Sequence, residues 1–418
     1  MSNSRLKAFE ILYSILSDNA YSNIALDKAL SDVDKKDKAF VSTIVYGVVE
    51  RKITLDYLLD LYLTSKPKPK VKIILYIGAY QLYFMDKVPA SAAINESVEL
   101  SKEVGCSYYS GLVNAVLHKL DKNRINIDDI QDLSIRFSCP QELINMWLKQ
   151  YGEAEMYEIL NAINNRPPVF AVPNKRYVDA EELQYELLSE GIECETDGEL
   201  VTLNSGFDLR KSKSFQNGLF YIEDKSSYKC ALALGAKDGD TVLDVCTAPG
   251  GKAFTVAQNL KNGKVYAYDL HEHRAKLVES GAERLGLDNI VVGVNDATVF
   301  NPDILMADKV LCDVVCSGFG IIRRKPEIRY KSLDSTKELF DIQYKILSVS
   351  SRYLKDGGTL VYSTCTLNKK ENEKVVSVFL ESEKDFVLIK EKTVFPSDNG
   401  GDGFYYAVIQ KKDQNERD

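Results

Sequence analysis

The chain is poor in several residue types: one tryptophan, three histidines and five methionines in 418 residues. Long apolar runs are missing too. The longest nearly apolar stretch, Ile73 to Met85, is interrupted by Gln81 and bounded by Lys72 and Asp86, short of the roughly 20 residues that cross a bilayer. The opening MSNSRLKAFE lacks the charged-then-apolar order of a secretory leader. A cytoplasmic chain with no membrane partner is expected. Eight cysteines without such a leader argue for reduced thiols. No second cysteine pair stands at zinc-ligand spacing, and among the histidines only His271 and His273 are neighbours, so no metal is expected.

Positive charge is also scarce. The net charge of −8 disfavours a continuous basic groove for nucleic acid. Its distribution is uneven, however: residues 1–120 carry 15 Lys and Arg against 13 Asp and Glu. Within Ile321 to Lys331, Arg323, Arg324, Lys325, Arg329 and Lys331 face Glu327 alone. Any RNA contact is therefore expected in patches.

What the chain does have is organised in three segments, and 45% apolar content supports packed cores. From Ser4 to about Lys122 apolar residues recur at helical spacing, as in Leu6, Phe9, Tyr13 and Leu16. Lys66-Pro67-Lys68-Pro69-Lys70 breaks that pattern and reads as extended chain between helices. From about Ile127 to Asn217 a helix over Gln141 to Tyr151 mixes with short strands near Val169 and Val201, a small α+β pattern. From Glu223 onward short β-rich runs alternate with helical ones, which predicts a mostly parallel sheet of α/β type. The strands are expected at Thr241–Val245, Val265–Tyr268, Ile290–Val294, Lys309–Asp313 and Thr359–Tyr362, with a late antiparallel one at Phe404–Ile409.

The first of these strands runs into LDVCTAPGGKAF. Small residues and glycines at a strand-to-helix turn let the backbone approach a ligand closely. Neither G-x-G-x-x-G nor GxxxxGK[ST] is present. Asp269 ends the second strand, where a carboxylate reaches ribose hydroxyls, and Asp296 and Asp313 follow the third and fourth. Singly, each reads as a helix cap or a solvated turn. Together they suit a ligand with a ribose, an amino group and a positive end, so S-adenosylmethionine fits better than NAD. His271 and His273 are expected on an exposed first turn, outside catalysis.

Two thiols stand at two strand ends, Cys316 in DVVCSGFG and Cys365 in STCT. Ligands bind outside the carboxyl ends of parallel strands. If those strands are neighbours, both sulfurs face one substrate. Cys312, inside the strand, reads as a small buried hydrophobe.

LDVCTAPGGK, YAYDLHEHR, the Asp296 turn, DVVCSGFGIIRRKPEIRY and LVYSTCTLNKKEN resemble, in order and spacing, the motifs of RNA cytosine-5 methyltransferases of the Nol1/Nop2/Sun group. SAAINESVELSKEVG and GLVNAVLHKL resemble the NusB fold. The resemblance implies an all-α NusB-like RNA-binding domain over 1–125, a small α+β RNA-contacting domain over 126–220, and a Rossmann-like class I S-adenosylmethionine-dependent methyltransferase domain over 221–413. It implies methylation of carbon 5 of a cytosine in 16S ribosomal RNA through a covalent cysteine–C6 adduct, by a monomer. Transfer RNA as substrate, or a decayed enzyme acting as an assembly factor, are the alternatives.

Position by position, the resemblance puts the nucleophile on Cys365, product release on Cys316, and contact with the cytosine edge on Asp313. The cofactor loop falls on Cys246, Thr247, Ala248, Pro249, Gly250, Gly251 and Lys252, with further cofactor contacts at Asp269, Asp296 and Asp313. Arg274 is a weaker candidate, and Arg323-Arg324-Lys325 is expected to hold RNA phosphates. Three departures stand out. Val315 replaces the family's proline, which predicts a looser turn; Glu223 replaces a glutamine; and Phe170 to Asn174 lacks the usual arginine.

Overall fold

A computed structural model describes residues 4–18, 26, 29–30, 35–204 and 207–413. Residues 1–3, 19–25, 27–28 and 31–34 of the first expected domain, and 205–206 of the second, lie outside the described residues. The chain forms two compact units: residues 1–165 with 322–331, and residues 166–321 with 332–418.

The first unit is helical, with helices at Ser4–Asp18, Lys35–Glu50, Lys52–Asp60, Pro69–Phe84, Ala90–Glu103 and Ser110–Lys122. Pro69 occupies the start of its helix, where a missing N–H costs nothing. The Lys-Pro stretch is therefore a linker that ends in a helix start. Pro69–Phe84 is apolar all round because the others surround it; Ile73, Ile74, Leu75 and Ile77 are all buried. Helices Leu133–Phe137, Gln141–Tyr151 and Glu153–Ala162 belong to this unit as well.

So does the strap Ile322–Lys331. Its Arg329 is fully buried, and its Nη1 donates to the carbonyls of Glu50 and Ser138 and to Asn164 Oδ1, at 2.9, 3.0 and 3.1 Å. Nη2 donates to the Ile163 carbonyl at 3.3 Å. Arg323 is buried too. The run that reads as a solvated, phosphate-holding cluster is thus partly an internal tie.

The second unit contains two sheets. Strands β1 (Val169–Pro173), β2 (Cys194–Asp197), β3 (Leu200–Leu203) and β4 (Phe220–Ile222) form an antiparallel sheet in the order β2-β3-β1-β4. The larger sheet comprises β5 (Thr241–Asp244), β6 (Lys264–Asp269), β7 (Ile290–Val294), β8 (Ala307–Asp313), β9 (Leu354–Thr364), β10 (Phe386–Val394) and β11 (Phe404–Lys411), ordered β10-β11-β9-β8-β5-β6-β7. Strands β5 to β9 run parallel, and β11 lies antiparallel between β9 and β10.

Alternate residues of the central strands enter two cores: Val242, Leu311 and Val361 on one face, Leu243, Val310 and Leu360 on the other. This is the Rossmann-like arrangement expected, and it aligns the carboxyl ends of β5, β6, β7, β8 and β9 along one edge. Among the described residues no helix is long and apolar enough to cross a membrane.

Candidate active site

The turn after β5 is shaped by two glycines. Gly250 has φ +111°, in the region that favours glycine, and a Cβ on Gly251 would lie 2.9 Å from Glu223 Cδ. Glu223 packs beneath this turn, where Thr255 and Ser227 donate to its two carboxylate oxygens at 2.7 Å each. Burial raises its pKa, against the pull of Lys252.

Asp269 ends β6 and is buried, accepting from the Ala248 N–H at 3.3 Å and the His271 N–H at 3.1 Å. Arg274 pairs with the same carboxylate at 3.4 Å and donates to the Ala248 carbonyl at 2.9 Å. The Cys246-to-Lys252 turn and the end of β6 are thus tied together. Asp296 is exposed beyond β7, and its hydrogen bonds go to Thr298 within its own turn, which holds its pKa down. His271 and His273 stack on each other at 5.5 Å on an exposed helix start. Cys312 is buried in β8.

Strands β8 and β9 are parallel neighbours, with Asp313 level with Ser363. Asp313 accepts from Ser363 Oγ at 2.7 Å and pairs with Lys252 Nζ at 2.8 Å. Lys252 is itself almost enclosed; burial opposes its charge, but the Asp313 carboxylate beside it outweighs this and raises its pKa. Just beyond the two strands, Cys316 Sγ and Cys365 Sγ lie 3.1 Å apart. Both are free and half-buried. The hydrogen bond to Cys365 and burial push the Cys316 thiol up, helped by the charges of Glu371 and Asp313.

The residue that organises these loops is one the sequence reading passed over. Glu371, buried, accepts from the Ser317 N–H at 2.8 Å and from Ser317 Oγ at 2.6 Å. Gln343 and Asn368 also donate to it, at 3.1 and 2.9 Å. Gln343 holds the Val315 carbonyl at 2.9 Å, and the Val314 N–H donates to the Ser363 carbonyl at 3.0 Å. The turn expected to be loose without proline is therefore pinned on both sides of Val315. Glu371 lies inside the quoted LNKKEN, so the signal was present, but its charge reads as solvated.

Residues 231–410 match the family described as 16S rRNA methyltransferase RsmB/F, and residues 2–122 match the NusB family. The Bacillus subtilis (strain 168) protein called "Probable ribosomal RNA small subunit methyltransferase B" is 35% identical, over 97% of this chain and 98% of that one. The crystal structure of PH0851 aligns with a TM-score of 0.82 at 24% identity, over 98% of this chain and 99% of that one. NSun6 from Pyrococcus horikoshii, solved with SFG, aligns with a TM-score of 0.60 at 21% identity, over 65% of this chain and 98% of its own.

Proposed function

We infer, for a chain that belongs to the ribosomal RNA small subunit methyltransferase B family and methylates RNA with S-adenosylmethionine, that its target is carbon 5 of a cytosine in 16S ribosomal RNA. The reading includes action as a cytoplasmic monomer. The observation that carries it is the sulfur pair at 3.1 Å beside Asp313, at the ends of two parallel neighbours.

The strand-end residues fit the cofactor. Its ribose hydroxyls, amino group and sulfonium need acceptors and negative charge, and Asp244, Asp269, Asp296 and Asp313 stand at or just past successive ends of β5, β6, β7 and β8. We assign its binding to Cys246, Thr247, Ala248, Pro249, Gly250, Gly251 and Lys252 together with Asp269, Asp296 and Asp313. Bound there, it supplies an electrophilic methyl group.

Carbon 5 of cytosine is a weak nucleophile until a group adds at carbon 6. The Cys365 sulfur makes that bond, and electron density moves to carbon 5. Asp313, held by Lys252 and Ser363, accepts from the cytosine amino group and orients the base, and the Lys252 ammonium beside it offsets the negative charge that develops on the ring. After methylation carbon 5 gives its proton to the Cys316 sulfur acting as base, the electrons of that bond restore the 5,6 double bond, and Cys365 leaves as a thiolate. Cys316, 3.1 Å from the departing sulfur, assists that release.

Mapping 5-methylcytosine in 16S ribosomal RNA from cells with and without this protein tests the reading. A single cytosine that loses its mark is expected. An unchanged 16S map, or a lost mark in transfer RNA, overturns it.

A further inference from the structure

In the first unit a cavity of about 490 Å³ opens where the NusB-matching helices meet the three short helices that follow them. Residues from both parts line it: Arg51, Tyr83 and Phe84 from the former, Arg136 and Phe137 from the latter, and Arg124 from the link between them. A cavity of this size suits a small ligand rather than a protein surface.

Each arginine lies over an aromatic ring. Arg51 is 5.1 Å from the centre of Phe84, Arg124 is 5.7 Å from Tyr83, and Arg136 is 5.3 Å from Phe137. Stacking of this kind fixes a guanidinium while leaving its N–H groups for a partner. Arg124 has an internal duty, since its Nη2 donates to the Leu82 carbonyl and its Nε approaches Asp121 at 3.7 Å. The other two do not. Among the described residues the Arg51 guanidinium has its ring and the charges of Glu50 and Asp128 but makes no hydrogen bond, and the buried Arg136 Nε has no partner. A buried donor without a partner, next to a second guanidinium that makes no hydrogen bond, calls for an acceptor beside the cavity.

The walls are also held in place. Asn164, at the cavity edge, donates to the Phe137 carbonyl at 2.7 Å and accepts from the buried Arg329. Burial lowers the Arg51 pKa, with Arg329 adding to the effect and Glu50 opposing it. Arg51 is therefore a cation whose surroundings favour an incoming anion.

We propose that this cavity binds one nucleotide of the substrate RNA, with its phosphate against Arg51 and Arg136 and its base against the Tyr83, Phe84 and Phe137 side chains. The chemistry follows from the lining: guanidinium groups for phosphate, and rings and guanidinium planes for an unstacked base. The inference rests on the RNA-substrate reading and adds a site that neither the NusB-matching part nor the methyltransferase domain contains alone.

The test uses the full-length protein and a fluorescent single-stranded RNA taken from 16S ribosomal RNA, titrated between 50 and 200 mM salt, about the range over which counterion release is resolved. Arg51→Gln with Arg136→Gln should bind about tenfold more weakly at the low end. Its salt slope should be shallower by about 0.7, the value for one phosphate on a single strand. Unchanged affinity and slope in a double variant that melts like the parent would overturn the proposal. Should the double variant not fold, 4-thiouridine-substituted RNA is photocrosslinked to the unmodified protein. Crosslinks on peptides carrying Tyr83, Phe84 or Phe137 support the site, and crosslinks confined to other peptides overturn it. Loss of affinity with an unchanged 5-methylcytosine map would fail the target reading alone. A correct map with full-affinity variants would fail only the cavity.

Discussion

Cys316 and Cys365 come from different strands, 49 residues apart in sequence, yet their sulfurs are separated by 3.1 Å. Two thiolates at that distance would repel strongly, so the pair favours at most one of them, and contact with its neighbour and burial push the Cys316 thiol up. The division of labour is open to direct test. Cys365→Ala should lose methyl transfer by several orders of magnitude, since the proposed route has no other group to form the carbon–sulfur bond. Cys316→Ser should instead form that bond and fail to break it, giving a protein–RNA adduct that survives a denaturing gel. The reverse pattern, an adduct in the Cys365 variant, would exchange the two roles.

Glu371 ties Ser317, Gln343 and Asn368 to one buried carboxylate. Removing a shared acceptor leaves several buried donors unsatisfied, at about 1–3 kcal/mol each. Glu371→Ala should therefore lower unfolding stability by about 3 kcal/mol or more in urea titrations. It should also reduce turnover more than RNA affinity, and make Cys316 more reactive to iodoacetamide. Glu371→Gln keeps the shape and should fall in between. A Glu371→Ala variant that is less stable but unaltered in turnover and thiol reactivity would limit Glu371 to a packing role.

Asp244 sets a pH dependence. Burial, reinforced by the nearby charge of Asp313, raises its folded pKa from 3.8 to about 7. The folded chain then holds this proton more tightly than the unfolded one. Its contribution to stability is complete below about pH 4 and is lost as pH rises towards about 7, at no more than about 1.4 kcal/mol per pH unit. Asp244→Asn cannot ionise, so its unfolding midpoint should fall less than the parent's between pH 5 and pH 7. Parallel curves for the two proteins would show that Asp244 keeps an ordinary pKa in the folded state.

Much of this arrangement is legible in the sequence because it rests on local pattern. The central strands are continuous apolar runs, and just past β8 and β9 Cys316 is followed by Ser317 and Gly318 while Cys365 sits between Thr364 and Thr366. Strand β10 escapes that reading because it is an exposed edge: Lys390, Glu391 and Lys392 give it the charge of a loop, and only pairing with β11 makes it a strand. Arg329 and Glu371 escape for a related reason. A charged residue in a charged run reads as solvated, and what buries these two is a set of hydrogen-bonding partners. Those partners lie up to 279 residues away for Arg329, and as far as Ser317 for Glu371.

Val315 gives the last prediction. The resemblance places proline at this position, and Val315 is 53% exposed, so substitution removes little packing. The hydrogen bonds that pin the turn use the Val314 N–H, the Val315 carbonyl and the Ser317 N–H, and proline at position 315 preserves all three. Val315→Pro should therefore narrow the unfolded ensemble without loss in the folded state, a gain of about 0.4–1 kcal/mol. Methyl transfer should stay near that of the parent, because the Cys316 position is already fixed through Glu371 and Gln343. Thermal unfolding checks the sign. A lower midpoint would mean that the backbone at position 315 departs from the φ near −65° that proline imposes, and that the hydrogen-bonded turn is an alternative geometry rather than a substitute for the ring.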